Sequence, residues 1–325
     1  MSTAYTEPSR SLLPSWRPSG VLDELLAFLA ASESLPPSER VAVFDNDGTL
    51  WAEKPAYFQL EFFLHELRKA AVTDPALAGR AEYGALLRQD HAALADLGLL
   101  RIALALAELC AGLTPEEFAA RSARFLLEEQ HPTLGRPFAQ AIYQPMLELL
   151  DALRAYGFAT FVVTGGGTEF VRAVSQQLYG VPPEGVVGTL IEYEYLRHAG
   201  APALRRTGRI SGDGNEGPAK VLSIQQHLGR RPVFAAGNSA GDLEMIEWAL
   251  ATPGPALGLL IVHDDAEREF AYESKAATAQ ASTQPIVDVG RRQGWTVVSM
   301  REHWSSVFPP RPGEPSGAGW PAPRT

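Results

Sequence analysis

Four short apolar runs, each ending in a polar or glycine-rich loop, constrain the fold of this 325-residue chain more than any other feature. They are Val41–Phe44 before DNDGT, Phe158–Val163 before TGGGT, Pro232–Ala236 before GNSAGD, and Leu259–Val262 before HDD. Each is β-rich and apolar at successive positions, as a strand buried on both faces must be. Helical patterns at Leu147–Tyr156, Lys220–Leu228 and Leu243–Leu250 precede the last three. This alternation predicts an α/β fold with a doubly wound, mostly parallel sheet. The ligand site of such a sheet lies beyond the carboxyl ends of its strands. The acidic, glycine-rich and amide-bearing loops fall at those ends.

Composition supports a packed protein and removes several alternatives. Hydrophobic residues make up 46% and charged residues 20%, a balance that excludes a mainly disordered chain or a fibrous repeat. The single cysteine, Cys110, forbids an intrachain disulfide or a cysteine metal cluster. The formal net charge of -10 opposes nucleic acid and anionic lipid, so neither is an expected partner. The first twenty residues are polar and broken by prolines, without the apolar stretch of a signal peptide. The run Leu97–Ala107 is interrupted by Arg101 and is too short to span a bilayer. A cytoplasmic protein is expected.

Between the first and second runs no convincing strand occurs. Tyr57, Leu60, Leu64, Leu67 and Ala71 recur at helical spacing. Thr114-Pro115-Glu116-Glu117 is a capping box with proline at the first helical position. Helices are expected across Ala85–Glu108 as well. Residues 55–139 therefore read as an all-helical cap inserted into a discontinuous core of residues 20–54 and 140–307. Thr189–Arg197 alternates as a strand does, with Ala203–Ile210 as its partner. Residues 1–19 and 308–325 read as disordered tails, the second being rich in proline.

Asp45-Asn46-Asp47-Gly48-Thr49 follows the first strand. With one residue between them, Asp45 and Asp47 can reach a common centre from a tight loop. Two hard oxygen donors suit Mg²⁺. One carboxylate could instead attack phosphorus while the other handles protons; the plainer alternative is an Asx-rich turn. Thr164, Gly165 and Gly166 combine a hydroxyl with bare N–H groups at a helix start, an anion cradle or simply a glycine-rich turn. Lys220 can neutralise a carboxylate or a phosphoryl oxygen, although an isolated lysine is usually just solvated. Asn238 and Asp242 can add oxygen ligands to the same cation; alternatively Asn238 or Ser239 caps the next helix.

These four groups, in this order, resemble the motifs of the haloacid dehalogenase superfamily of phosphohydrolases. VFDNDGTLW is similar to its DxDGT motif, VVTGGG to the second, Lys220 to the third and GNSAGDLEM to the fourth. The resemblance runs from Val41 to Met245 and on toward Ser299. The helical insertion and TGRISGDGNEGPAK are similar to phosphoserine-phosphatase-like members with a type-one cap. The resemblance implies that Asp45 is a nucleophile forming an aspartyl-phosphate. Asp47 protonates the leaving group and then activates water. Thr164 and the backbone of Gly165 and Gly166 hold phosphoryl oxygens, and Lys220 stabilises Asp45. It also implies Mg²⁺ held by Asp45, the carbonyl of Asp47, Asn238 and Asp242. Trp51, Glu53 and Lys54 fall in the family's flap, with Glu53 and Lys54 toward the substrate, and Arg68, Arg88 and Arg101 are cap cations.

One position departs from the pattern: the fourth motif usually has Asp where this chain has Asn238. An amide oxygen still coordinates Mg²⁺ but without the charge, so weaker metal binding is expected, with Asp242 binding more directly. Mg²⁺, Lys220 and three ionised aspartates would leave the site near neutral, so a dianionic phosphate is not repelled. The leading expectation is a Mg²⁺-dependent phosphohydrolase for a small phosphomonoester. A phosphotransferase shares the same intermediate. A receiver-like or metal-binding regulatory module without turnover is the third reading, and Asp47, Lys220 and the helical cap speak against it.

Overall fold

Residues buried on both sides of a sheet must be apolar at consecutive positions, and the strands follow that rule. The computed structural model describes residues 12–274 and 284–311, the side chain of Leu99 excepted. In chain order the elements are α1 (Gly20–Ser32), β1 (Val41–Phe44), α2 (Phe58–Thr73), α3 (Ala81–Arg88), α4 (His91–Leu97), α5 (Leu99–Leu109) and α6 (Pro115–Glu128). They continue with α7 (Gln144–Ala155), β2 (Ala159–Gly167), α8 (Thr168–Tyr179), β3 (Val186–His198), β4 (Ala201–Ser211), α9 (Pro218–Leu228) and β5 (Phe234–Gly237). The last are α10 (Leu243–Leu250), β6 (Leu257–Val262), α11 (Ile286–Gln293), β7 (Thr296–Ser299) and α12 (Met300–His303).

The sheet order is β4-β3-β2-β1-β5-β6-β7. All neighbours are parallel except β3 and β4, which form an antiparallel hairpin. The central strand β1 is wholly buried, and its residues alternate between two apolar clusters. Ala42 and Phe44 join α1, α7 and the helical segment on one face. Val41 and Val43 join Ile224, Met245 and Ile246 of α9 and α10 on the other. Burying each such valine or phenylalanine contributes roughly 1.5–3 kcal/mol. Phe44 is paired with Val162 of β2 and Ala236 of β5, so the acidic loop leaves the sheet level with the strand ends on either side.

The helices of residues 58–128 do not form a separate apolar lobe. Phe62, Leu67, Phe118 and Phe125 belong to the same cluster as Phe44 and Leu149. Thr114 caps α6 as the sequence requires: its hydroxyl accepts from Glu117 N at 3.2 Å and Glu117 Oε2 accepts from Thr114 N at 2.8 Å. The β3–β4 hairpin is longer than its alternation suggested and docks on this segment. Arg206 N donates to the Leu113 carbonyl, Gly112 N donates to that of Arg206, and the Arg206 guanidinium lies 3.7 Å from the Phe118 ring centre.

Three further differences from the sequence reading are physical. β2 continues through Thr164 to Gly167, with its register against β3 shifting between Val163 and Gly167. β7 was not foreseen as a strand, because Thr296–Ser299 is only four residues long and half of it is intermediate in burial. The expected tails are packed in part where they are described, through Leu13, Ser15, Trp16 and Phe308, while Pro14, Arg17, Pro18, Pro310 and Arg311 stay exposed. Trp16 is 4% exposed and meets Trp304 edge-on at 5.9 Å, and Phe308 stacks on Tyr143 at 5.8 Å. Large aromatic side chains dominate the energetics of burial, which draws these segments onto the core. Residues 1–11 and 312–325, the remainder of those tails, lie outside the described residues. Among the described residues no helix is long and apolar enough to cross a membrane.

Candidate active site

Asp45 is the first residue beyond β1, and its N–H donates to the Ala236 carbonyl of β5 at 2.8 Å. Asp45 is therefore held between two strands, and its side chain is 9% exposed. Lys220, at the start of α9, reaches it from below the loop. Lys220 Nζ donates to Asp45 Oδ1 and to Asp242 Oδ1, each at 2.6 Å, with the lysine only 2% exposed. Burial opposes the Lys220 ammonium, but Asp242 and Asp45 outweigh it and hold the lysine above its ordinary range. Asp45 is raised well above the usual carboxylate range, first by burial and then by repulsion from Asp242, against the pull of Lys220. One buried cation thus faces more buried negative charge than it can balance.

Asp242 sits differently from the metal ligand expected of it. Its Oδ2 accepts from Asn238 N, Ser239 N and Ser239 Oγ at 3.0–3.2 Å, while Oδ1 takes Lys220. Both oxygens are committed to capping the turn and anchoring the lysine. Asp242 is thus placed behind the site, and Asn238 in front of it. Thr49 Oγ1 donates to Asp45 Oδ2 at 3.2 Å and reaches Asn238 Oδ1 at 3.5 Å. Those two oxygens face one hydroxyl from either side.

Asp47 projects on the other side of the loop. Trp51 Nε1 donates to its Oδ1 at 2.9 Å. Burial raises its carboxyl. Trp51 is therefore a buried partner of Asp47, 1% exposed, rather than a flap residue open to a leaving group. A Cβ built on Gly166 would lie 3.3 Å from Thr164 Oγ1 and 3.7 Å from Asp47 Oδ2, so the bare glycine leaves room between the strand end and the acid. Thr164 is fully buried, and its hydroxyl accepts from Gly166 N at 3.0 Å. Its carbonyl accepts from Asn215 Nδ2 at 3.0 Å. Asn215 is 2% exposed, so the connection from β4 to α9 is anchored at the site through this one side chain.

Glu53 and Lys54 diverge. Glu53 turns inward, 5% exposed, and its Oε1 accepts from Asn238 Nδ2 at 3.2 Å. Burial pushes its carboxyl up to about 7. Lys54 is half-buried, with Nζ 4.8 Å from the Tyr272 ring centre and 5.9 Å from that of Tyr57. Arg101 is committed to Glu82 within the helical segment.

Two more residues reach the site: Gln59, which has no local signal, and His263, whose HDD run can either line the site or form a turn. Gln59, in the first turn of α2, accepts from Gly167 N at 2.7 Å and so ties the helical segment to the strand-end glycines. His263 follows β6 and donates from Nε2 to the Gly48 carbonyl at 2.8 Å, while its Nδ1 meets Glu269 Oε2 at 3.3 Å. Tyr143 OH donates to the other oxygen of Glu269 at 3.1 Å. This buried chain holds the acidic loop from behind. The signal was HDD at a strand end, where a turn is an equally good reading.

The donor set suits a small divalent cation held mainly by oxygen. Asp45 and Asn238 offer side-chain oxygens on one side of the loop, and the buried carboxylates exceed the buried cations. Among the described residues no three His, Cys, Asp or Glu side chains are grouped to hold a metal by themselves.

A family model for haloacid dehalogenase-like hydrolases matches residues 42–247. A solved protein of unknown function from Bordetella pertussis Tohama I is 20% identical, with a TM-score of 0.51 over 80% of this chain and 98% of that one. A conserved, functionally unknown protein from Anaerococcus prevotii DSM 20548 is 14% identical, with a TM-score of 0.55 over 85% and 90%. A probable phosphoserine phosphatase from Vibrio cholerae is 15% identical, with a TM-score of 0.41 over 77% and 64%. The first two share this fold. None of the curated proteins matches.

Proposed function

The chain belongs to the haloacid dehalogenase-like hydrolases, and we propose that it is a Mg²⁺-dependent phosphohydrolase acting on a small phosphomonoester. The observation that carries this is the Lys220 ammonium, shared at 2.6 Å by Asp45 and Asp242. It holds Asp45 at the strand end, while Asp47 is held by Trp51 Nε1 instead. Mg²⁺, held by Asp45, the carbonyl of Asp47 and Asn238, would neutralise phosphoryl charge when bound.

A carboxylate oxygen of Asp45 attacks phosphorus, and the bond from phosphorus to the ester oxygen breaks. Asp47, kept protonated more readily by burial, gives its proton to the departing alcohol. Water then loses a proton to Asp47 and displaces Asp45, releasing inorganic phosphate. Thr164, Gly165 and Gly166 border the space for the phosphoryl oxygens, and Lys220 keeps Asp45 oriented. Residues 55–139 act as the cap over this edge of a core formed by 20–54 and 140–307, in the manner of the phosphoserine-phosphatase-like branch. Lys54, over Tyr57 and Tyr272, lies on the substrate side.

The test is release of phosphate from p-nitrophenyl phosphate by wild type and Asp45→Asn, with and without Mg²⁺. Wild type should turn over only with the metal. Asp45→Asn should fall below about 1% of wild-type activity, because an amide cannot form the acyl-phosphate. Retained activity in that variant would refute the nucleophile. Transfer of the phosphoryl group to an added alcohol in preference to water would move the assignment to a phosphotransferase.

A further inference from the structure

The asparagine that replaces the usual aspartate of the fourth motif has a partner. Asn238 is 2% exposed, and its amide is held at both ends. Nδ2 donates to Glu53 Oε1 at 3.2 Å and to Ser274 Oγ at 3.1 Å. Oδ1 faces Thr49 Oγ1 at 3.5 Å, on the side of Asp45. Glu53 Oε1 accepts from Nδ2, so Glu53 fixes which end of the amide faces it. Turning the amide over would set oxygen against oxygen and point the donor at the carboxylate side of the site.

Aspartate at 238 would have no proton to offer Glu53. Two acidic side chains would then meet where one amide hydrogen bond now stands, both nearly excluded from water, so that they either repel or one must hold a proton. The loop between them is shaped for the present pair. Gly48 has φ +75°, and a Cβ there would overlap Asn238 Nδ2 and lie 3.0 Å from Glu53 Cδ.

We infer that Glu53 and Asn238 act as one positioning unit of the cation site: Glu53 accepts from the amide and fixes it with its oxygen toward Asp45. This rests on the metal-dependent reading above and deepens it. It assigns Glu53 to the cation rather than to a substrate ammonium. It also reverses the simple charge argument for Asn238→Asp, in which added charge alone improves the site.

The experiment compares wild type, Glu53→Gln, Asn238→Asp and the double variant. Mg²⁺ binding is measured by calorimetry without substrate, and thermal melting is measured without metal. Removing a partner that orients a ligand weakens metal binding by on the order of tenfold, so Glu53→Gln should bind Mg²⁺ about that much more weakly. Metal-free Asn238→Asp should melt below wild type. The double variant should recover both properties relative to the relevant single change, because glutamine at 53 can donate to aspartate at 238. If Glu53→Gln binds Mg²⁺ like wild type and changes only the KM for substrate, Glu53 serves the substrate and the pairing is wrong. Equal melting of Asn238→Asp and the double variant would also overturn it. Failure of wild type to bind Mg²⁺ would instead sink the metal-dependent reading, and with it the purpose assigned to the pair.

Discussion

Lys220 Nζ lies 2.6 Å from oxygens of Asp45 and Asp242, and in the helical segment Arg80 Nη1 lies 2.6 Å from Glu108 Oε2. The contacts are alike in length and opposite in setting. The side chains of Lys220, Asp45 and Asp242 are 2%, 9% and 1% exposed, whereas those of Arg80 and Glu108 are 39% and 49% exposed. At the strand ends each polar atom has given up water and depends on its neighbour. On the helices water remains an equal alternative. Distance therefore says little about consequence; burial decides it. The helical segment is held instead by aromatic contacts, such as Phe62 against Phe118, Phe125 and Phe170 at 5.3–5.6 Å.

The comparison breaks most directly at Lys220. Lys220→Met leaves Asp45 and Asp242 facing each other without their shared cation. Breaking a buried pair on one side costs about 3–5 kcal/mol, and loss of a preorganised charge at the reacting group costs roughly 10²–10³ in turnover. Both should be seen, by denaturant unfolding and by phosphate release. A stability loss no larger than that of a surface variant would show that burial does not separate the two regions.

Asp47 stands at the seam, and its substitution sharpens the contrast in chemistry rather than stability. Asp47→Asn keeps an acceptor for Trp51 Nε1 and removes the acid. Turnover of alkyl phosphates should fall by roughly 10²–10⁴, the usual worth of general acid–base catalysis. The loss for p-nitrophenyl phosphate should be smaller, because its leaving group needs less protonation. Parallel losses on both substrates would make Asp47 a structural residue of the loop.

The strand-end residues were legible because chemistry and spacing coincide there. Asp45 and Asp47 lie in one tight loop, and Thr164 closes an apolar run. What escaped reading are contacts between distant parts of the chain with no local signature. Glu53 and Asn238 are 185 residues apart, and His263 reaches Gly48 across 215. Asp242 escaped for another reason: Ser239 and Asp242 form a capping box, a local competitor for the same carboxylate, and that role takes its Oδ2. In the helical segment, periodicity marks the helices. It carries no information on the hairpin that docks against them, because the buried Arg206 reads as one more charged residue on a strand.

The smallest expected effect lies in the helical segment, at Glu82. Its carboxylate accepts from Arg80 Nε at 3.0 Å and from Arg101, whose side chains are 39% and 59% exposed. The carboxyl is lowered to about 2, first by a bond from its own backbone N–H and then by Arg101. A carboxyl lowered by folding contributes stability that is fully present above its unfolded value, near 4.5, and is lost as pH falls through about 2. Because the partners are solvated, Glu82→Gln should cost only about 0.5–1 kcal/mol at neutral pH. Phosphate release should be unchanged. The stability gap from wild type should narrow as the pH is lowered from 5 toward 3, since the unfolded chain takes up the proton near 4.5 while the folded carboxyl, near 2, keeps its charge. A gap that stays constant over that range would mean that Glu82 acts through packing. Glu82 itself is only 7% exposed, so a gap as large as that of Lys220→Met would show that burying the carboxylate alone, with its cations in water, makes a pair costly to break.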